Sequence, residues 1–474
     1  MRSLTWTLIF IASLPSLAWS ATATPSSADT MGAIRDATVQ SDWAWQQLQT
    51  LTDTVGARLS GSPGLSAAVQ RVEQATRSLG ARVTLQKVMV PHWVRGREEA
   101  AIINYVGKPV GLSQPVHITA LGGSAATSTD GLTAPVLIVK DLEEWPARAA
   151  EARGKIVLFT SRFNQRQAEN GNGLNEYLLA GQPRFNGPSA ANAAGAAAVL
   201  VRSVGGANYR LPHTGGTHWA ADRPAFPVAA IAAEDSDLIE RLARTGPVKI
   251  RMLLTPQTLP DAESHNVIAD WVGRERPEEL VIVSGPLDSW DLATGAIDDG
   301  MGVISSAAVI EVLSRLNLHA RRTIRFIAWT NEENGGRGHA AYMKSVTDQL
   351  SAQFAAIESD FGDGAALGVT AAVTPEFLPK LQPVVRALAP IGATTLSRTD
   401  SEVGSDIADL QRAGVPGFAP MLESRHYFDY HHTAADTLDK VKPEDLKSQV
   451  ATLAVLAYYL ADMPGELPRF KVAP

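Results

Sequence analysis

Apolar and polar positions follow two alternating patterns along the second half of the chain. Short, mostly apolar runs are typical of buried strands, and they occur at residues 266–270, 281–284, 323–329, 355–358 and 415–420. Longer stretches place apolar residues at helical spacing, and they occur at residues 301–316, 381–389 and 443–459. Strands that alternate with helices predict an α/β fold.

The first part of the chain has a different pattern. Helices are predicted at residues 41–51 and 66–79, strands at 83–90 and 100–106, and a flexible polar lead-in at 24–41. Farther along, short β-rich runs are separated by many glycines and prolines.

The length of 474 residues exceeds the usual size of one domain. We therefore predict a main α/β domain formed by residues 21–111 and 259–474. The β-rich stretch at 112–258 is predicted to be a domain inserted into it.

The N-terminal residues have the features of a signal peptide. Arg2 precedes a moderately apolar core at residues 4–17, and small residues around 18–21 offer a cleavage site. We exclude residues 1–20 from the fold and predict an exported protein, either periplasmic or secreted. The apolar core is too short for a stable membrane span.

Composition narrows the possible chemistry. With 45% hydrophobic residues the chain is typical of a globular protein, and its net charge of −7 gives no indication of nucleic-acid binding. The chain has no cysteine, so it has neither disulfides nor thiolate ligands. Any metal site must therefore use histidine, aspartate and glutamate side chains.

Carboxylates follow two of the predicted strands. Asp288, Asp298 and Asp299 come after the strand at 281–284, while the pair 332–333, both glutamates, comes after the strand at 323–329. Ligands of open α/β sheets bind beyond the carboxyl ends of the strands. Adjacent residues in an extended segment point to opposite sides, so one glutamate can ligate a metal while the other addresses a bound water. A Glu-Glu pair alone is more often a solvated acidic loop.

Later residues strengthen the metal hypothesis. Asp360 adds another carboxylate, and His431 and His432 stand next to each other, followed by Asp436 as a candidate orienting partner for an imidazole. A single loop histidine is more often a surface group than a ligand. Zinc accepts nitrogen and oxygen donors, and an aspartate can bridge two ions. The full set of residues therefore predicts a hydrolytic metal site.

Several ordered motifs are similar to those of the co-catalytic zinc aminopeptidase/carboxypeptidase family. The resemblance extends from about residue 50 to residue 465, and its most specific segments are residues 56–64, 287–291, 295–300, 329–333, 358–360, 413–417 and 431–437. It implies a three-layer α/β/α zinc-exopeptidase fold. The insert at 112–258 would be a protease-associated domain, and the resemblance also suggests a homodimer.

The resemblance also implies a role for each site residue. Asp298 would bridge two zinc ions, Glu333 and His432 would complete one zinc site, and Asp360 would belong to the other. Glu332 would be the general base that activates the zinc-bound water and then protonates the leaving amine. Asp288 and Asp436 would lie outside the ligand shell as orienting carboxylates.

One residue departs from the family pattern. Where the family has a zinc-ligating histidine, this chain has Pro286, which offers no side-chain donor and no backbone N–H. Asp288 would then lack the group that it orients. Three outcomes follow: a single zinc held by three ligands, replacement by another histidine, or a weakened or inactive enzyme. The candidate replacement histidines are His213, His265 and His431.

Three functions are compatible with these residues. The first is an exported zinc exopeptidase, a carboxypeptidase or aminopeptidase that hydrolyses dipeptides or short peptides. The second is a pseudo-peptidase that binds peptides without cutting them, which Pro286 favours. The third is a zinc hydrolase of another amide, such as an acyl-amino acid. Zinc content and dipeptide hydrolysis distinguish the first two.

Overall fold

A computed structural model of the chain describes residues 27–206 and 209–472. The predicted signal peptide lies outside these ranges. The helices are α1 Ser27–Val39, α2 Trp43–Thr50, α3 Pro63–Ser78, α4 Trp145–Arg148, α5 Gln165–Gln167, α6 Gly173–Ala180, α7 Gln182–Ala193, α8 Ala233–Ala243, α9 Met301–Arg315, α10 Arg337–Val346, α11 Gln382–Leu388, α12 Ala408–Arg412, α13 Tyr427–Tyr430 and α14 Pro443–Asp462. Within the described residues, no helix has the length and apolar character needed to cross a membrane.

The strands form two eight-stranded sheets. In chain order they are β1 Arg82–Val94, β2 Glu98–Asn104, β3 Gln114–Val116, β4 Ile118–Ala120, β5 Leu132–Val139, β6 Ile156–Phe159, β7 Ala198–Arg202, β8 Val228–Ile231, β9 Lys249–Leu254, β10 Gln257–Trp271, β11 Arg276–Pro286, β12 Arg322–Trp329, β13 Gln353–Glu358, β14 Ala366–Ala372, β15 Thr395–Arg398 and β16 Gly417–Leu422.

The first sheet has the order β1-β10-β12-β11-β13-β16-β14-β15. Its centre is parallel, because β11 pairs in parallel with both β12 and β13. Alternate residues of β11 enter different cores: Val281 and Val283 pack in the cluster that includes α9 and α14, whereas Ile282 packs with residues of α10 and α12. A sheet covered on both faces requires strands that are apolar throughout, which explains the continuous apolar runs. The predicted α/β arrangement is confirmed.

The second sheet has the order β3-β2-β9-β5-β6-β7-β8-β4. It includes β2, which lies before the predicted boundary at residue 112, because Ala100 on β2 pairs with Met252 on β9. Its centre is parallel from β5 through β8, and helices α4 to α8 lie between its strands in the chain. This part of the chain is therefore mixed α/β in structure. Its assignment as a protease-associated domain stays a prediction.

The lead-in predicted to be flexible is a helix. Met31 and Ile34 on α1 are almost completely buried, and α1 packs against α14. These apolar residues are sparse, so the chain segment alone gives a weak helical signal. The apolar surface of α14 supplies the stabilisation, which a local pattern does not reveal.

Candidate metal centre

The carboxylates meet because their strands are neighbours. In the parallel pairing, Pro286 at the end of β11 lies opposite Trp329 at the end of β12, and Ser284 lies opposite Glu358 at the end of β13. The three following loops therefore start at one edge of the first sheet. They carry Asp288, the glutamates at 332–333, and Asp360.

A separate set of bonds fixes the loop that carries Asp298. The Asp436 carboxylate accepts hydrogen bonds from the backbone N–H groups of Ala296 and Ile297, both at 2.8 Å, and from that of Asp298 at 3.3 Å. The buried Arg58 side chain donates to carbonyl oxygens on both sides of the loop. Asp436 therefore orients the loop of Asp298. Among the described residues, the hydrogen-bond partners of this carboxylate are backbone N–H groups and include no histidine, so the predicted orientation of an imidazole by Asp436 is not seen.

Four donor side chains converge, those of Asp298, Glu333, His431 and His432. The Nε2 atom of His432 lies 3.3 Å from Asp298 Oδ2 and 3.2 Å from Glu333 Oε2. The Nε2 atom of His431 lies 3.5 Å from the same Asp298 oxygen. Donors bound to one tetrahedral zinc at about 2.0–2.1 Å are about 3.3 Å apart from each other. These spacings and donor types fit a zinc ion.

Thr214, which lies in the chain between β7 and β8 of the second sheet, orients His432. The Nδ1 atom of His432 faces the carbonyl oxygen of Thr214 at 3.2 Å, and the carbonyl oxygen of His432 accepts from the Thr214 N–H at 2.9 Å. A proton on Nδ1 leaves the Nε2 lone pair free for a metal, which is the usual arrangement of a ligating imidazole. Sequence patterns did not identify Thr214, since it contributes only backbone atoms. The motif Pro-His-Thr-Gly at residues 212–215 was the available signal.

Glu332 and Glu333 share an anchor. The Asp288 carboxylate accepts from the N–H of Glu332 at 2.9 Å, from the N–H of Glu333 at 3.4 Å, and from the hydroxyl of Ser60 at 3.1 Å. Asp288 therefore orients backbone groups in this structure, at a position where the resemblance implies that it orients a histidine. Its partners are the two backbone N–H groups of the glutamate pair.

Asp360 stands apart from the imidazoles. Its Oδ2 atom is 3.4 Å from the Ser405 hydroxyl, and the Tyr427 hydroxyl lies 3.3 Å from both its carbonyl oxygen and Asp298 Oδ1. Among the described residues, the group of donors that all lie within 4.8 Å of one another consists of Asp298, His431 and His432, and it omits both Glu333 and Asp360. Glu333 is linked to this group through His432, whereas Asp360 is linked to it through the Tyr427 hydroxyl.

The three candidate replacement histidines occupy different places. His431 contacts Asp298, and its ring stacks on that of His432 with centroids 3.6 Å apart. His213 is buried and neither ring nitrogen has a hydrogen-bond partner. His265 lies on β10, 3.7 Å from Glu263. Of these three histidines, His431 alone falls within the tight donor group.

Burial and like charge shape the electrostatics of the centre. Burial first, and then repulsion from neighbouring carboxylates, raises the pKa values of Asp298, Glu333 and Asp360 well above their usual range. Burial lowers the pKa values of His431 and His432 well below the ordinary value, so both imidazoles stay neutral. Neutral imidazoles beside crowded carboxylates form a site that a divalent cation stabilises.

The centre opens into a cleft of about 1320 Å³. Residues at the edge of the first sheet line one side, including the glutamate pair at 332–333 and Asp360. Tyr177, Arg184 and Trp219, which lie in the chain between strands of the second sheet, line the other side. The cleft is large enough for a small ligand or a short peptide.

A mostly parallel sheet with metal donors at its carboxyl edge defines the chain as a metal-dependent hydrolase of the α/β class. The pattern of Peptidase family M28 matches residues 266–457. Carboxypeptidase Q of Xenopus laevis is 35% identical over 430 residues, which cover 90% of this chain and 87% of that protein. The chain belongs to peptidase family M28. The predicted membership of a zinc exopeptidase family is confirmed, and carboxypeptidase Q is among the relatives that this chain resembles.

Solved structures agree with this assignment. A peptidase M28 precursor from Shewanella amazonensis SB2B is 32% identical, with a TM-score of 0.87, and the match covers 94% of this chain and 99% of that one. A zinc aminopeptidase from Bacillus subtilis has a TM-score of 0.64 at 21% identity, and the match covers 89% of this chain and 97% of that one. At this lower identity the likeness concerns the fold alone.

Proposed function

We propose that the protein is an exported zinc exopeptidase that hydrolyses dipeptides or short peptides. The observation that carries the proposal is the convergence of Asp298, Glu333 and His432 at spacings of 3.2 and 3.3 Å. The name of the relative carboxypeptidase Q supports cleavage at a peptide terminus, and the donor types gathered at the site support the metal. The apolar segment at residues 4–17 supports export.

Asp298, Glu333 and His432 would hold one zinc ion. When bound in such a site, zinc lowers the pKa of a water to about 7 and polarises a carbonyl group. His432 would present the Nε2 lone pair to the metal because its Nδ1–H donates a hydrogen bond to the Thr214 carbonyl oxygen. Three protein ligands leave a position open, as catalytic zinc sites require.

Glu332 would be the general base. Glu332 lines the cleft beside Glu333. Its carboxylate takes no part in the contacts among Asp298, Glu333 and His432. Burial, and then repulsion from Asp288, raises the pKa of Glu332 to about 7. A carboxylate with a pKa near the working pH accepts a proton from water and returns it to the leaving amine. Asp288 sets the position of this residue through the backbone.

Because of Pro286, we propose that the site binds one zinc ion and not two. Pro286 stands at the end of β11 and has no donor, and Asp360 Oδ2 faces Ser405. His431 is the available alternative ligand, because it reaches Asp298 from the same side as His432. Pro286 also favours a second candidate function, a pseudo-peptidase that binds peptides in the cleft without cutting them.

Zinc content and dipeptide hydrolysis, measured for the wild type, Glu332→Gln and Pro286→His, test the proposal. We expect about one zinc per chain in the wild type, hydrolysis that Glu332→Gln abolishes, and unchanged zinc in that variant. Zinc without turnover in the wild type, together with turnover gained in Pro286→His, would establish the pseudo-peptidase. A wild type that binds no zinc would overturn both the metal site and the peptidase.

A further inference from the structure

Arg184 is a buried cation that has no carboxylate partner among the residues that the structure describes. It lies near the start of α7, its residue is 3% exposed, and its side chain lines the cleft. The hydrogen bond that its guanidinium donates goes to the Thr214 carbonyl oxygen at 3.4 Å, and its Nε atom has no partner among the described residues. A buried charge that lacks an ion pair costs several kcal/mol, so it requires a reason.

The other buried arginines of the described chain are satisfied. Arg322 pairs with Glu279 at 2.6 Å and also donates to two carbonyl oxygens. Arg58 donates to four backbone carbonyl oxygens around the metal centre. Both have the partners expected of a structural arginine. Arg184 differs from them because it lines the cleft, its Nε–H has no partner among the described residues, and no carboxylate of the described residues pairs with it.

The fold provides a fitted place for the Arg184 guanidinium. Its Cζ atom lies 4.9 Å from the ring centre of Tyr177 and 4.5 Å from that of Phe185. A Cβ atom at Gly215 would lie 2.5 Å from Nη1, so this position has room only for glycine. Aromatic rings hold the flat group while leaving its edge free for an anion.

This guanidinium lies close to the metal centre. The Thr214 carbonyl oxygen that accepts from Arg184 Nη1 also faces Nδ1 of His432. Tyr177, which packs on Arg184, contacts the ring of His431 with centroids 4.9 Å apart. Arg184 and the histidines of the metal centre therefore share Thr214 and Tyr177 as neighbours, which places the guanidinium beside the centre.

We propose that Arg184 binds the free α-carboxylate of a peptide substrate. This inference rests on the proposed exopeptidase function and adds the terminal group that the cleft selects. A bound cation offsets the charges of Asp298 and Glu333, which leaves the Arg184 charge available to an incoming anion. The planar guanidinium matches a carboxylate with two parallel hydrogen bonds. Substrates would be cut one residue before their C-terminus.

The test compares alanyl-alanine with alanyl-alaninamide, which differ only in the terminal charge. We expect the wild type to prefer the acid by about 100-fold in kcat/KM. Arg184→Gln should abolish this preference by raising KM for the acid, while the rate with the amide changes less than about threefold. Arg184→Lys, which keeps the charge without the planar fork, should lose part of the preference. Arg166→Gln, at an exposed arginine on α5, is the matched control and should change neither substrate.

Binding provides a readout that does not need turnover. In the Glu332→Gln background, calorimetry should show alanyl-alanine binding about 100-fold more weakly after Arg184→Gln, with the amide unaffected. Equal losses for acid and amide would make Arg184 structural and overturn the inference. A wild type that cuts both substrates equally would also overturn it and leave the exopeptidase intact. If the wild type cuts neither, the proposed function fails, and the calorimetric comparison still decides the role of Arg184.

Discussion

The carboxylate of Asp288 accepts a hydrogen bond from the backbone N–H of Glu332 at 2.9 Å. The same carboxylate also reaches the N–H of Glu333. One buried side chain at the end of β11 therefore sets the positions of the proposed base and of a proposed metal ligand after β12. Asp288 therefore has a structural function of its own, which does not require a histidine at residue 286.

Replacing Asp288 by asparagine tests this anchor. Asparagine would place an amide NH₂ group against a backbone N–H that now donates to Oδ2, so the turn at 332–333 must shift. We expect kcat/KM for a dipeptide to fall about 10–100-fold while zinc content is retained. Steady-state kinetics and elemental analysis measure the two quantities. Unchanged kinetics would show that the turn holds its position without Asp288.

Removal of the metal should destabilise the fold. A ligand that binds the folded state alone stabilises it by about 2.7 kcal/mol when present at 100 times its Kd. We expect a chelator to lower the melting temperature of the wild type, and added zinc to restore it. Glu333→Gln, which removes one proposed ligand, should show a smaller difference between the two conditions. A wild type whose melting temperature ignores the chelator would contradict the metal site.

Comparing His431 with His432 tests which of the two histidines is a zinc ligand. They are adjacent and stacked, yet His432 contacts both Asp298 and Glu333 and has an oriented Nδ1, whereas Nδ1 of His431 has no partner. We expect His432→Gln to weaken zinc binding by at least about 10–100-fold and His431→Gln to weaken it by less than about tenfold. A competition assay with a chromogenic chelator measures both affinities. Equal losses would identify His431 as the ligand that replaces the histidine absent at residue 286.

Part of the site could be predicted because it depends on strand ends. The apolar runs at β11, β12 and β13 identify buried strands, and parallel neighbours bring Asp288, Glu332 and Asp360 to one edge of the sheet. The position of Asp298 in a glycine-rich loop after β11 belongs to the same pattern. These inferences require only the direction and adjacency of strands.

Other parts depend on contacts that leave no local pattern. The Thr214 carbonyl oxygen orients an imidazole 218 residues away, and a backbone acceptor can belong to any residue type. The sequence does not distinguish Arg184 from the other arginines of the chain. Only the structure shows that its side chain is buried and that its Nε atom has no partner among the described residues. Asp436 is predicted to orient a histidine, whereas its hydrogen bonds in the structure come from backbone N–H groups at 296–298. Periodicity locates elements, whereas these bonds follow from tertiary contacts between segments that are distant in the chain.

Asp363 provides a test of pH dependence away from the proposed ligands. Burial raises its pKa from 3.8 to about 6, against the lowering effects of its own backbone N–H and of His426, while Glu423 and Asp429 add smaller increases. Between pH 3.8 and about 6 the folded chain therefore binds more protons at this residue than the unfolded chain does. The contribution of Asp363 to the free energy of unfolding therefore decreases as the pH rises through that window. Above the window, the buried carboxylate is ionised and its destabilising effect is complete.

Asp363→Asn removes this cost because asparagine does not ionise. We expect the free energy of unfolding of the variant to exceed that of the wild type by about 1–3 kcal/mol at pH 7.5, where the lower end allows for solvent screening. The difference should shrink steadily as the pH is lowered towards about 4. Urea unfolding at several pH values measures it, with Asp348→Asn, at an exposed aspartate, as the control whose difference from the wild type stays constant. A variant that gains no stability at neutral pH would show that the Asp363 carboxylate is as well solvated in the folded chain as in the unfolded one.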